Sequence, residues 1–562
     1  MDRRNPTFRV MLSKSLLGLL GLALVWLMLY GQRQRWRQID FARQEAKAFR
    51  ERTAVKSILD ILDYEEFRLF YVVHPATGET IRFEATDPRL QRALRSHDQM
   101  SKVRTGLNEI QRLAHKDSIR PETLAIFERY EQEEFFIELT LRDWFDSFLG
   151  GLEYFDMLIE SGLISARDIR PFIIYWIQLI GDRRFRRKGG SGFYDQLSHY
   201  IYWAGYSGVQ RLFERYGFKV LPPPYTGQDF TKIGVKEPDD TARALSLAKA
   251  AHLVYEDREY VNDIVDLWLS GRQENQWMRL SPREYVVDVI KQWQQEGQIH
   301  TANPYSQDFK YLDMLTTDTQ AFFFRRGDDI ILVFRGSQQL KDWKTNFKIR
   351  LREFTTLADQ TAVLPKGYVH RGFLEAWHSV EKMVVHYLRK WWSPDTRLWI
   401  TGHSLGGALA NMAALSLDCQ GFTVSGLYTF GQPRIADWQL VRAANKRLGD
   451  RMFRYANNND VVPLIPPQLL LGFPPRVYGH MGRFRYFSWN GELRRNSFVS
   501  KYWIDRLIGF VLALRQSGLD AIDDHKMEFY VANLQTALAK EQEMAKIRQE
   551  QERLKGDYRG ED

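Results

Sequence analysis

The segment TGHSLGGALA, residues 401–410, constrains the fold of this chain more than any other stretch. An apolar run that predicts a strand precedes it, and a run of small and apolar residues that predicts a helix follows it. Ser404 therefore lies at a sharp turn from strand to helix, between Gly402 and Gly406. Glycines at these positions let strand and helix cross closely, so the pattern predicts a nucleophilic serine at the turn, with its hydroxyl in a cleft.

Strands and helices alternate around this motif. QAFFFRRGDDIILVFRG, residues 320–336, predicts two strands around a Gly-Asp-Asp turn, and SGLYTFGQP and RMFRYANNND predict two more. FKIRLREF, residues 347–354, alternates apolar and basic residues and predicts a strand with one basic face. Strands separated by helices predict an α/β fold with a mostly parallel sheet and helices on both faces. In such sheets, functional sites form at the carboxyl ends of the strands.

A serine nucleophile needs a base and an orienting carboxylate, which in this arrangement follow it in the order Ser, Asp, His. Asp460 stands out among the downstream acids because it lies in the loop directly after a predicted strand. Only two histidines follow Ser404, namely His480 in YGHMGRF and His525 in DDHKMEFY. Spacing alone does not choose between these two histidines.

Seven segments, in order, between residues 241 and 535 resemble the class 3 lipase family of fungal-type lipases and their relatives. These segments are ILVFRGSQQLKDW, GYVHRGFLEAW, WITGHSLGGALA, YTFGQPRIAD, NNNDVVPLIPP, YGHMG and DDHKMEFY. The resemblance implies an α/β-hydrolase domain that covers about half of the chain, and it leaves the amino-terminal part unexplained.

The resemblance also implies roles for individual residues. In this family the later histidine is the base, so His525 pairs with Asp460 and His480 supports the fold. The family's oxyanion donors correspond here to Ser337 and the backbone N–H of Leu405. The implied activity is that of a serine lipase or esterase that hydrolyses acylglycerol or phospholipid esters. It requires no cofactor and no metal.

Two alternatives use the same sequence features. An acyltransferase or thioesterase could carry the same triad, because the acyl acceptor is chosen by the pocket and not by the triad. A membrane-tethered helical scaffold without catalysis is the other alternative. The presence of Ser404, Asp460, His525 and Ser337 together argues against the scaffold.

The amino-terminal segment MLSKSLLGLLGLALVWLMLY, residues 11–30, predicts a single transmembrane helix. Lys14 lies near one end, whereas Trp26 and Tyr30 suit the opposite interface. No small-x-small cleavage site follows, which favours an uncleaved anchor over a signal peptide. Basic residues flank both ends equally, so the side on which the catalytic domain lies is not predicted.

The remaining sequence predicts the domain order. Residues 31–221 form a mainly helical region of unknown role, and a proline-rich linker at 222–240 joins it to the lipase-like domain at 241–535. Residues 536–562 predict a charged helical tail. A net charge of +9 is too small to indicate a nucleic-acid-binding protein, and the single cysteine, Cys419, excludes an intramolecular disulfide.

The segment after Ser337 is predicted to form a lid. QQLKDWKTNF, residues 338–347, is polar, and basic residues continue from it to Arg352. This charge predicts that the mouth of the site docks on anionic lipid.

Overall fold

The computed structural model divides into two units, Met1–Pro222 and Pro223–Asp562. The described residues are 6–63, 68–115, 118–220, 222–231, 233–234, 241–271, 279–296, 307–336, 351–357, 363–458, 460–466, 469–470, 476–488, 490–495 and 525–557. Ser337 and most of the predicted lid and basic strand lie outside them.

The first unit is mainly helical and contains one β-hairpin. Its elements are α1 Pro6–Glu51, α2 Thr53–Asp63, β1 Leu69–Val73, β2 Thr80–Glu84, α3 Asp87–Ala93, α4 His97–Ala114, α5 Pro121–Arg129, α6 Phe135–Glu160, α7 Ala166–Gly181, α8 Ser191–Trp203 and α9 Ser207–Arg215. Local chemistry explains several helix starts: Ser96 forms a capping box with Gln99 before α4, and Pro121 opens α5. In the hairpin, Leu69 pairs with Glu84 and Val73 pairs with Thr80.

Helix α1 contains the predicted membrane anchor, residues 11–30. The side chains of residues 6–25 lie outside the described part of the chain. Within that part, no helix combines the length and the apolar character needed to cross a membrane. The transmembrane assignment is therefore not confirmed and stays a prediction.

The second unit is built on an eight-stranded mixed sheet. Its strands are β3 Phe309–Met314, β4 Thr319–Arg326, β5 Asp329–Phe334, β8 Arg397–His403, β9 Val424–Phe430, β11 Met452–Ala456, β14 Arg483–Phe487 and β15 Leu493–Arg494. The order across the sheet is β15-β14-β11-β9-β8-β5-β4-β3. A smaller sheet, in the order β12-β13-β10-β7-β6, uses β6 Leu351–Glu353, β7 Tyr368–His370, β10 Ala436–Asp437, β12 Leu469–Leu470 and β13 Arg476–Gly479.

The prediction of a mostly parallel sheet is correct only for the centre of the large sheet. Strands β5, β8, β9, β11 and β14 pair in parallel, whereas β3, β4 and β15 pair antiparallel at the two edges. The physical reason is the connection length: short turns join β3 to β4, β4 to β5 and β14 to β15, and a short turn can join only antiparallel strands. The fold is therefore α/β-hydrolase-like with a mixed sheet.

Helices cover both faces of this sheet. The helices of the second unit are α10 Thr241–Leu253, α11 Arg258–Ser270, α12 Pro282–Glu296, α13 Arg371–Trp391, α14 Leu405–Cys419, α15 Trp438–Leu448 and α16 Met527–Asp557. Alternate strand residues face opposite cores, because successive side chains of a strand point to opposite sides. Phe323 and Leu332 pack with α13 and α14, whereas Phe322 and Val333 pack with α10 and α16.

Part of the predicted linker, 222–240, packs in the core that contains α10 and α16. Tyr225, Phe230 and Ile233 are buried there. The Tyr225 hydroxyl lies 2.6 Å from Nδ1 of His252 in α10. These residues therefore belong structurally to the second unit.

Candidate active site

Ser404 lies in the turn between β8 and α14. Its backbone has φ 57° and ψ −126°, a conformation that residues with a side chain rarely adopt. The Ser404 N–H donates to the carbonyl oxygen of Phe430 at 2.9 Å, which fixes the turn to β9. Strain of this kind persists only where the surrounding structure enforces it, and it is common at functional sites.

Three glycines make this turn possible. A Cβ on Gly402 would overlap the carbonyl of Gly406, and a Cβ on Gly406 would overlap the carbonyl of Phe334 in β5. A Cβ on Gly407 would lie 2.8 Å from the Cβ of Gln432. The prediction that glycines permit a close crossing of strand and helix is confirmed at these positions.

Asp460 and His525 form a buried pair. His525 Nδ1 lies 2.8 Å from Asp460 Oδ2, and the two side chains are 2% and 0% exposed. The same carboxylate accepts a hydrogen bond of 2.5 Å from the Tyr530 hydroxyl and one of 2.9 Å from the Val462 N–H. Because Nδ1–H donates to the carboxylate, the lone pair of the neutral imidazole is on Nε2. Among the described residues, this buried Nε2 has no hydrogen-bond partner.

The residue before the serine contacts the backbone of this histidine. His403 Nε2 lies 2.6 Å from the carbonyl oxygen of His525, and the two rings are 4.5 Å apart at their centroids. His403 Nδ1 lies 2.8 Å from the Tyr255 hydroxyl. Burial, and next the neighbouring His525, lower the pKa of His403 well below its usual value, so the ring is neutral. Its Nε2–H then donates to His525, and its Nδ1 accepts from Tyr255.

The carboxyl ends of four neighbouring parallel strands, β5, β8, β9 and β11, meet at Ser404 and the Asp460–His525 pair. Gly336 follows β5, and a Cβ there would lie 3.1 Å from the Cβ of Ser404. Gly431 follows β9 with φ 57°, and a Cβ there would lie 2.7 Å from Asp460 Oδ2 and 2.9 Å from His525 Nδ1. Asp460 follows β11. The Ser404 turn and the Asp460–His525 pair therefore share one edge of the sheet, as expected for such folds.

The other residues predicted for the site have different outcomes. Leu405 is the first residue of α14, where backbone N–H groups lack intrahelical partners. Ser337 lies outside the described residues. His480 bonds through Nε2 to the carbonyl of Pro463 at 2.8 Å, and its pKa is lowered well below the usual value by burial and then by Arg454 and Arg434.

Sequence reasoning missed the residues that hold the pair in place. Tyr530 and Tyr255 lie 70 and 148 positions from their partners Asp460 and His403. Contacts over such separations depend on the tertiary fold and leave no local pattern. Tyr530 lies five residues after His525, and this spacing was the only available signal.

The strand order and the strained serine turn are those of an α/β-hydrolase-like domain. Residues 331–470 match the family model described as Lipase (class 3), which confirms the predicted resemblance to the class 3 lipase family over this segment.

Individual relatives are similar to part of the chain. Secreted mono- and diacylglycerol lipase 1 of Fusarium solani is 34% identical over 142 residues, which cover 25% of this chain and 40% of the relative. A lipase of Rhizomucor miehei is 33% identical over 181 residues, which cover 29% and 46%. A solved structure of the triacylglyceride lipase of Rhizomucor miehei matches with a TM-score of 0.26 and 27% identity, covering 33% of this chain and 68% of that one. The chain thus spans less than half the length of these two curated relatives.

Proposed function

We propose that the second unit is a serine hydrolase that cleaves acyl esters of lipids. In this proposal Ser404 is the nucleophile, His525 the general base and Asp460 the group that orients it. The observation that carries the proposal is the unpartnered, buried Nε2 of His525, whose Nδ1 is held by Asp460. A buried nitrogen without a partner is costly, and proton exchange with a nucleophile explains why it is retained.

The proposed reaction follows from these positions. Ser404 Oγ attacks the ester carbonyl carbon and its proton passes to His525 Nε2, while Asp460 stabilises the resulting imidazolium. The backbone N–H of Leu405 and the Ser337 side chain hold the tetrahedral oxyanion. The alcohol leaves with the proton from His525. Water then attacks the acyl-enzyme, releases the carboxylic acid and restores Ser404.

The proposed substrates are acylglycerols, supported by the name of the Fusarium solani relative, with phospholipids as a second class. An acyltransferase or thioesterase is the alternative reaction at the same site. Product analysis with and without glycerol as acceptor separates the hydrolase from the acyltransferase. A hydrolase releases free fatty acid in both cases, whereas an acyltransferase transfers the acyl group to glycerol.

Substitution of the three residues tests the proposal directly. We expect Ser404→Ala and His525→Ala each to lower hydrolysis of a short-chain chromogenic ester by at least about 10³-fold, because nucleophile and base act as a unit. Ser404→Ala should also abolish labelling by a fluorophosphonate probe. His480→Ala is the matched control and should lower the melting temperature while the folded protein stays active. A folded but inactive His480→Ala protein, with His525→Ala still active, would show that the wrong histidine was assigned. A wild-type chain that neither turns over esters nor takes up the probe would favour the scaffold.

We further propose that α1 anchors the protein in a membrane through residues 11–30. The described side chains at the carboxyl end of this segment support the proposal, because Trp26, Met28, Leu29 and Tyr30 are all half or more exposed. Trp26 and Tyr30 stack at 5.3 Å, and such aromatic pairs are typical of the membrane interface.

The anchor predicts that the full chain stays in the membrane fraction after alkaline carbonate washing. A chain that begins at residue 31 should be released, because it lacks the apolar segment. A mature amino terminus between residues 25 and 40 would instead show that the segment is a cleaved signal peptide.

A further inference from the structure

Among the described side chains of helix α1, the buried ones lie in its carboxyl-terminal part. Ala42, Ala46 and Phe49 are buried there. Every residue from 28 to 38 is exposed, so the helix leaves the body of the unit near residue 38. A single exposed helix with tryptophan and tyrosine at its outer end needs another environment to cover it.

The direction of α1 is fixed by two contacts with α7. Arg35 lies 3.8 Å from Asp168 near the start of α7, and the ring of Phe49 lies 5.3 Å from that of Trp176 further along it. The two helices therefore run in the same direction. The part of α1 that precedes Arg35 projects beyond the amino-terminal end of α7.

The end of the unit from which α1 projects is basic and carries an exposed apolar residue. We call it the end face, and define it as residues 161–170 together with Arg33, Arg35 and Arg37 of α1. Leu163 is 55% exposed in the loop between α6 and α7, and Arg167 and Arg170 are exposed on the first turns of α7. The acid of this face, Asp168, is only 10% exposed and pairs with Arg35.

The acidic residues at the end of α6, which precede the end face in the chain, are also paired. Glu160, the last residue of α6, forms an ion pair with Arg215, and the nearby Asp156 is buried between Arg211 and Arg215. The Tyr216 hydroxyl donates to the carbonyl of Ala166 at 2.7 Å, which joins the end of α9 to the start of α7. The charge that the end face presents to its surroundings is therefore positive.

We propose that the end face docks on the anionic headgroups of the membrane that holds α1. The apolar segment ends five residues before Arg35, and at 1.5 Å per helical residue this is about 7.5 Å. The polar layer on each side of a bilayer's hydrocarbon core is about 5–8 Å thick. Arg35 and the rest of the end face therefore lie at the depth of the headgroups. Leu163 inserts between headgroups, while the arginines bind phosphates.

The inference rests on the proposed anchor and adds a second, surface contact to it. It is tested on the full chain with Cys419→Ser, reconstituted in vesicles, with a nitroxide spin label at Leu163→Cys. We expect the label to be several-fold less accessible to a water-soluble nickel complex when the vesicles contain phosphatidylglycerol. The label at Tyr71→Cys is the matched control, because Tyr71 is 64% exposed, against 55% for Leu163, and lies on the hairpin that packs on Trp144. Trp144 is sixteen residues, or about 24 Å, from the end of α6.

Charge reversal tests whether the end face binds the membrane surface or only lies near it. Arg167→Glu combined with Arg170→Glu should restore access of the nickel complex to the Leu163 label, while the chain still resists carbonate and retains its esterase rate. Equal access at Leu163 and Tyr71 in a carbonate-resistant chain would overturn the docking but leave the anchor intact. Release of the chain by carbonate would overturn the anchor and the docking with it, but not the proposed hydrolase.

Discussion

Two tyrosines hold the Asp460–His525 pair of the candidate site in place, one directly and one through His403. Tyr530 donates to the carboxylate of Asp460, and Tyr255 donates to His403, which in turn holds the His525 carbonyl. The imidazole is thus fixed both through its ring and through its own backbone. Positioning of this kind matters because small displacements of a base lower the rate strongly.

Tyr255→Phe tests whether the contact from Tyr255 through His403 to the His525 carbonyl helps to position the imidazole. The substitution leaves Nδ1 of the buried, neutral His403 without its donor, which costs about 1–3 kcal/mol. We expect kcat on a short-chain ester to fall about tenfold with little change in KM, because the loss affects positioning of the base and not substrate binding. Tyr387→Phe is the control, since it removes a hydroxyl from the same unit where that ring packs on Phe323 and Trp391. Equal kinetics for the two variants would show that Tyr255 has only a structural role.

Sequence patterns predict the residues of the candidate site, but not the residues that hold them in place. Ser404 is marked by its flanking glycines, and Asp460 by its place after a strand. The choice of His525 over His480 came from family resemblance, and the structure places only His525 on Asp460. The contact of Tyr255 with His403 joins α10 to the end of β8, and neither segment alone indicates it.

Secondary structure elements near the serine form as their local patterns predict. Strand β8 ends at His403 and helix α14 begins at Leu405, with Ser404 alone between them. The arrangement of strands was less predictable, because the edge strands β3, β4 and β15 reverse direction at short turns. Parallel pairing requires a connection long enough to cross over the sheet, and the short turns at the edges are not.

Gly406→Ala should disrupt the junction of β8 and α14. The added Cβ would lie against the carbonyl of Phe334 and 2.8 Å from the carbonyl carbon of Arg335, and backbone cannot move as a flexible side chain can. We expect a loss of about 1–3 kcal/mol in unfolding free energy, measured by urea denaturation, together with a lower kcat. Gly372→Ala in α13 is the control, because its Cβ would make only ordinary contact with His370 at 3.4 Å. If both substitutions had the same small effect, close crossing at the turn would not be essential.

At the scale of the whole molecule, each unit has its own apolar core. The core of the first unit is formed from residues between Ala42 and Val220, and the two cores of the second unit from residues between Tyr225 and Leu534. No residue contributes to cores of both units within these described clusters. The second unit should therefore fold without the first, provided that its own core is complete.

The second unit begins at Pro223, whereas the sequence predicts that the lipase-like domain begins at residue 241. Tyr225, Phe230 and Ile233 are buried in its core, and burial of each such side chain contributes about 1.5–3 kcal/mol as an upper estimate. Asp229 pairs with the buried Lys249 at 2.5 Å and accepts from Trp268 Nε1 at 3.1 Å. A chain that begins at residue 241 would leave Lys249 buried without its carboxylate.

Two fragments test this boundary. We expect residues 223–562 to hydrolyse a soluble short-chain ester with a kcat/KM within about twofold of the full chain, because the whole candidate site lies in that unit. Residues 241–562 should aggregate or melt at a clearly lower temperature, since they lose three core side chains and an ion pair whose removal leaves a buried charge. Scanning calorimetry and the ester assay on the same samples measure both effects. If the two fragments were equally stable, residues 223–240 would act only as a linker, and if neither were active, the helical unit would be needed for the hydrolase to fold.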